Sequence, residues 1–250
     1  MENIIDRYDV RQFYKDLEKF HITLSDSQAE QFLIYYEMLT ERNKVMNLTA
    51  ITEFDEVLKK HFIDSLSLVK ACDLNEGKSD ISLIDIGTGA GFPGIPLKIA
   101  FPDLKITLMD SLNKRVAFLR EVIDVLGLRD IHVIHGRAED HAKPDKLRER
   151  FDLCVSRAVA NLSVLSEYCI PYVKVGGKFI SYKSEKVSEE IKDAEYAISV
   201  LGGEIEGQVS FYLPDSEIYR NLFVVRKYDS TPLEYPRKAG TVSKKPLVRS

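Results

Sequence analysis

The chain has three cysteines in 250 residues, Cys72, Cys154 and Cys169, and no C-x-x-C pair. So few, so far apart, exclude a disulfide scaffold and argue against a zinc ribbon or redox dithiol; a reducing compartment fits them best. No run of about 18 apolar residues occurs, so no membrane-spanning helix and no membrane partner are expected. The opening stretch, Met1-Glu2-Asn3-Ile4-Ile5-Asp6, lacks the basic and apolar regions of a secretory leader, and a cytoplasmic location is expected. Internal repeats and low-complexity tracts are missing as well. The five histidines (21, 61, 132, 135 and 141) show no ligand spacing, so no metal is expected. With 44% hydrophobic and 30% charged residues, disorder is excluded and the length suffices for a substantial core.

A strong charge of either sign is also lacking: the net charge is -4. That total hides a gradient. Residues 1–80 carry 10 Lys+Arg against 16 Asp+Glu, whereas residues 81–250 carry 25 against 23. The stretch from Tyr235 to Ser250 holds five basic residues and no acid. The average therefore does not exclude an anionic partner.

Two regions read differently. From Tyr8 to Cys72 the pattern is helical, with Ser25 and Ser27 as candidate N-caps and Phe32, Tyr35, Tyr36 and Leu39 at helical spacing. A second stripe runs through Phe54, Val57, Leu58, His61, Phe62, Ser65, Leu66 and Val69, and residues 74–80 read as a linker. From Ile81 onward strands and helices alternate. Strands are expected at Ile81–Ile86, Leu104–Met109, Ile131–His135, Phe151–Ser156 and Lys178–Tyr182, the last entered through a Gly176-Gly177 turn. Helices are expected at Pro93–Ala100, Asn113–Leu126, Leu162–Val173 and Ser188–Leu201. Glu204–Leu213 and Asn221–Arg226 read as a hairpin-type pair. The pattern is α/β: a mostly parallel sheet covered by helices on both faces. The expected divisions are 1–74 as a helical extension, 81–228 as the sheet domain and 229–250 as a basic tail.

The most informative stretch is Asp85-Ile86-Gly87-Thr88-Gly89-Ala90-Gly91-Phe92-Pro93-Gly94, where a buried strand turns into a helix. Glycines there admit positive φ and close ligand approach, beside the free N–H groups of a helix start. Asp110, nineteen residues beyond Gly91 at the end of the second strand, can accept from both hydroxyls of a ribose. Asp85 suits the ammonium of an amino-acid-bearing nucleoside and would repel a pyrophosphate. A glycine turn needed only for packing, and a dinucleotide-dependent dehydrogenase, are competing readings.

This stretch resembles motif I of class I S-adenosylmethionine-dependent methyltransferases, a Rossmann-like fold with a seven-stranded, mostly parallel sheet. Further strings narrow the resemblance: 43–49 (NKVMNLT), 61–65 (HFIDS), 91–97 (GFPGIPL), 110–119 (DSLNKRVAFL), 136–139 (GRAE), 156–158 (SRA) and 235–241 (YPRKAGT). Together they look like the bacterial small-subunit rRNA guanine-N7 methyltransferases, the RsmG or glucose-inhibited division protein B family, over nearly the whole chain.

The resemblance implies S-adenosylmethionine as cofactor and S-adenosylhomocysteine as product. Asp85, Gly87, Gly89 and Phe92 would line the methionine end, Asp110 the ribose, and Ala138 and Glu139 the adenine. Arg157, after the fourth strand, would act in catalysis and border the cofactor. Asn47, His61, Asp64, Lys183, Arg237 and Lys238 would meet substrate RNA, as would Lys114, Arg115 and Lys186. For His61, Asp64, Asn43 and Asn47 a core or capping role is equally open. The partner implied is 16S rRNA, within a small ribosomal subunit or its precursor, and the protein is expected to be a monomer. Guanine N7 has a lone pair and no proton, so in-line transfer without a general base is expected. A methyltransferase of the same fold with a small-molecule or protein substrate, an oxidoreductase, and a binding module without chemistry remain as alternatives.

Overall fold

Ser82–Ile86 forms β1, whose side chains alternate between two faces that are both covered. Leu83 joins a cluster packed under the N-terminal helices, while Ile84 and Ile86 join a second cluster on the opposite face. The computed structural model describes residues 4–74, 81–157, 160–184 and 188–249. The linker expected at 74–80 lies, apart from Leu74, outside the described residues, as does Lys186.

β1 is followed by α5 (Gly94–Ala100), β2 (Lys105–Asp110), α6 (Asn113–Leu126), β3 (Ile131–His135) and the short α7 (Ala138–His141). Then come β4 (Phe151–Ser156), α8 (Leu162–Cys169), β5 (Val173–Lys183), α9 (Ser188–Val200), β6 (Gly203–Tyr212) and β7 (Tyr219–Lys227). The sheet order is β3-β2-β1-β4-β5-β7-β6. Pairings from β3 to β5 are parallel, whereas β7 runs antiparallel to β5 and β6. This is the class I methyltransferase sheet that the resemblance implies. Its strand order reverses between β1 and β4, where a crevice opens at the C-terminal strand ends.

One expectation is corrected here: Gly176-Gly177 is no turn before a strand but lies inside β5. Against β4, Val173 pairs with Phe151 and Lys178 with Leu153, so the intervening residues bulge. A Cβ on Gly177 would sit 2.5 Å from the Asp152 carbonyl oxygen, a gap that only glycine fits.

The N-terminal helices are α1 (Arg11–Lys19), α2 (Asp26–Met46), α3 (Phe54–Val57) and α4 (Asp64–Leu66). Of the two candidate N-caps, Ser25 caps α2, in a reciprocal capping box with Gln28. Between α3 and α4, Leu58–Ile63 winds as a π-helical turn, and Ser67–Lys70 tightens into 3-10 geometry. These helices have no core of their own. Phe32, Tyr35, Leu39, Phe62 and Leu66 are buried in the same cluster as Leu83, Leu108 and Ile180 of the sheet. The extension is a cover for one sheet face. No helix among the described residues is long and apolar enough to cross a membrane.

Candidate active site

Two cavities meet at the switch point, sharing Ala160. The first, of ≈ 550 Å³, lies between the ends of β1, β2 and β3. Gly87, Asp110, Arg115, Ala138, Glu139 and Tyr168 are in its wall. Asp110 Oδ2 accepts from the Gly89 backbone N–H at 3.0 Å and Oδ1 from Leu112 N–H at 2.9 Å, so the carboxylate organises both loops that flank it. Arg115 approaches it at 3.4 Å. Glu139 stands at the start of α7, and the Tyr172 hydroxyl donates to the Ala138 carbonyl at 2.6 Å behind it.

The donor set fits S-adenosylmethionine. An acid at the β2 end suits ribose hydroxyls, the backbone at Gly87 leaves room beside β1, and a second acid after β3 suits an exocyclic amine. The volume is in the range of small-ligand sites. The Gly87–Gly94 loop is built for that approach. Gly91 has φ +110°, and a Cβ there would lie 2.8 Å from the Tyr35 hydroxyl; a Cβ on Gly94 would lie 2.2 Å from Leu108. Tyr35 is the support that sequence reasoning missed: its hydroxyl donates to the Ala90 carbonyl at 2.6 Å, fixing the loop from α2.

Asp85 stands behind the cavity wall. It is fully buried and does not line the cavity; Oδ2 accepts from Thr88 Oγ1 at 2.6 Å and from Gly94 N–H at 3.0 Å. Strand alternation turns it away from the cavity side that Ile86 faces, so it ties the loop from beneath. Burial pushes its carboxyl up to about 6. Gly89 acts through its N–H on Asp110. Phe92 is likewise buried, in an aromatic group with Tyr35, Phe62 and His61.

The second cavity, of ≈ 430 Å³, includes Lys60, His61, Asp64, Arg157, Lys183 and Arg220 in its wall. Asp64, 3% exposed, is shared by two arginines: Oδ2 accepts from Arg157 Nη1 at 3.0 Å and Oδ1 from Arg220 Nε at 2.7 Å. Removing one partner from such a buried pair costs about 3–5 kcal/mol. The π turn explains the placement. Its wide winding leaves carbonyls for outside donors, and Arg157 Nη1 lies 3.4 Å from Lys60 O and 3.5 Å from His61 O. Arg157 also lies over the Phe92 ring, 4.8 Å from its centroid. It lines this cavity, and the wall of the first does not include it.

His61 stacks on Phe92 with centroids 4.5 Å apart and planes at 17°. Its Nδ1 faces Arg157 Nη2 at 3.4 Å and its Nε2 meets Thr49 Oγ1 at 2.8 Å. The guanidinium can only donate, so Nδ1 accepts and Nε2–H donates, an assignment made from the network. Burial, then the Arg157 charge, pull the imidazole down to about 3, so it is neutral near pH 7.

Of the other expected RNA contacts, Asn47 is the left-handed C-cap of α2 (φ 48°) and lines neither cavity. Lys183 lines the second cavity but is held by Glu190 and the Ala160 carbonyl, both at 2.8 Å. Arg237 is committed to the buried carboxylate of Glu167. Lys114 and Lys238 are exposed. Arg220, in β7, carried no sequence signal because strand arginines usually face solvent.

The family model described as GidB, rRNA small subunit methyltransferase G, matches residues 28–219. The Ribosomal RNA small subunit methyltransferase G of Lachnoclostridium phytofermentans is 54% identical over 241 residues, covering 96% of this chain and 98% of that protein. That of Alkaliphilus metalliredigens is 54% identical over 228 residues, with coverages of 91% and 93%. A crystal structure of a mutant of MtNAS covers 90% of this chain and 83% of its own, with a TM-score of 0.52 and 18% identity, a likeness of fold alone. With the cavities at the switch point and these matches over most of its length, the chain belongs to the rRNA small subunit methyltransferase G family and is a methyltransferase.

Proposed function

We propose that the protein transfers the methyl group of S-adenosylmethionine to N7 of a guanine in 16S rRNA, in line and without a general base. S-adenosylmethionine, the cofactor of this family, supplies an electrophilic methyl group on a sulfonium when bound. The first cavity would hold it, with Asp110 and Glu139 toward the nucleoside and the Gly87–Gly94 backbone toward the other end.

The observation that carries the reading is the state of the acids and imidazole lining the second cavity. Asp64 has both oxygens on arginines, and Glu190 Oε1 accepts from Lys183 and from Leu162 N–H. His61 is neutral, with both ring nitrogens occupied. The imidazole, pulled down by burial and the Arg157 charge, is poorly disposed to take a proton, and both Asp64 oxygens and Glu190 Oε1 are already engaged in hydrogen bonds. An acceptor that must lose one, such as a hydroxyl or an amine, lacks a partner among these groups. A ring nitrogen with its own lone pair does not need one.

Electrostatics favour the same acceptor. A purine methylated at N7 gains positive charge, so a cationic imidazole beside it would raise the barrier, whereas the neutral His61 does not. Arg157 and Arg220 share the single carboxylate of Asp64 and still present N–H groups for phosphate or base oxygens. The surplus of cations in the wall, Lys60, Arg157, Lys183 and Arg220 against Asp64 and Glu190, suits a polynucleotide. The reading is tested by incubating the protein with radiolabelled methyl donor and undermethylated small subunits or their rRNA, then digesting to nucleosides. Label in 7-methylguanosine is expected. Label in any other nucleoside, or none while cofactor is bound, overturns it.

A further inference from the structure

The segment after β7 folds back over the domain. Arg148 donates to the carbonyls of Tyr235 (2.7 Å), Pro232 (3.0 Å) and Thr231, and Lys143 reaches Pro236 O at 3.3 Å. Arg237 then forks onto Glu167, whose side chain is 0% exposed: Nε donates at 2.9 Å, Nη2 at 2.6 Å and the backbone N–H at 2.8 Å. Five residues on, α10 (Thr241–Lys244) buries Val242 completely.

This segment reaches the cofactor cavity itself. Gly240 and Ser243 stand in its wall. The Gly240 N–H donates to Glu139 Oε1 at 3.3 Å, and Ser243 stands in the same wall as Tyr168. The acid after β3 is therefore shared between the cavity and the C-terminal segment. The same segment carries Lys238, Lys244 and Lys245 on its exposed side, without a hydrogen bond or ion pair among the described residues.

We infer that the C-terminal segment is a wall of the cofactor site whose outer lysines bind rRNA phosphates, so that RNA and cofactor strengthen each other's binding. The inference rests on the proposed rRNA substrate. Its physical basis is charge: three cations within eight residues repel one another and oppose the docked arrangement, and phosphates remove that repulsion. Holding the segment in place holds Gly240 on Glu139 and closes the cavity's open side. Linkage then requires the two affinities to change by one common factor.

The test measures radiolabelled S-adenosylhomocysteine binding to the full chain by equilibrium dialysis, with and without unmodified 16S rRNA transcript, while filter binding records RNA occupancy. We expect the transcript to tighten cofactor binding by about tenfold. In the variant Lys238→Ala/Lys244→Ala/Lys245→Ala that factor should fall towards one. Arg237→Gln, which frees the anchor, should weaken cofactor binding by about tenfold without RNA, with a melting curve confirming that the chain still folds. RNA that binds without changing cofactor affinity, or a factor unaltered in the triple variant, overturns the inference alone. A chain that binds cofactor and no RNA overturns the rRNA reading with it.

Discussion

Asp110 and Asp85 both sit on parallel strands at the same cavity, yet only the first lines it. At the residue scale, strand phase decides this: Asp110 ends β2 where the chain leaves the sheet, whereas Asp85 is within β1 and its phase carries it under the loop. Motif spacing pointed to Asp110, because an acid at the end of a parallel strand lies at the strand-end crevice, whereas Ala138 and Glu139 came from the family resemblance. Spacing could not separate Asp85 from Asp110. His61 gives the sharpest residue-scale prediction. Its pKa is about 3 in the folded state, below the unfolded value near 6.5. Between those values the unfolded chain binds the proton, so acidification removes stability. Asp85 runs the opposite way, its folded value of about 6 lying above its ordinary 3.8. Chemical denaturation of His61→Gln and the parent from pH 7 to pH 4 should show the parent losing the more stability, by up to about 1.4 kcal/mol per pH unit. Parallel curves would refute the neutral, desolvated imidazole.

At the scale of elements, the alternation of strands and helices was readable from apolar runs and glycine boundaries, and Ser25 was one of two candidate N-caps; its reciprocal bond with Gln28 came from the structure. The π turn was not readable. The stripe from Phe54 to Val69 keeps apolar residues on one face in either winding, so periodicity cannot register one additional residue in a turn. What fixes the winding is tertiary: Arg157 reaching the Lys60 and His61 carbonyls, Ser65 Oγ on His61 O at 2.5 Å, and Tyr182 Oη on Ser65 O at 2.8 Å. Deleting Lys60 should restore α-helical winding and rotate His61 out of register with Asp64. We expect methyl transfer to fall by about a hundredfold, the scale of an ångström-level misplacement, with cofactor affinity nearly retained. Cofactor titration beside single-turnover transfer checks this, and unimpaired transfer would show that the π turn does not position the site.

Across the whole molecule, the charge gradient has a structural counterpart. The acidic N-terminal helices cover one sheet face, and the cations collect in the second cavity and along the C-terminal segment. Sequence alone set that segment apart because its prolines, glycine and lysines have no periodicity. Its docking depends on one arginine finding a buried glutamate, a pairing without a local signal. The central claim concerns the atom that receives the methyl group, and one substrate change addresses it directly. Transcripts of 16S rRNA made with guanosine, or with 7-deazaguanosine, which has a carbon in place of N7, should bind the protein alike. Only the guanosine transcript should acquire labelled methyl groups; equal labelling of both would contradict the account.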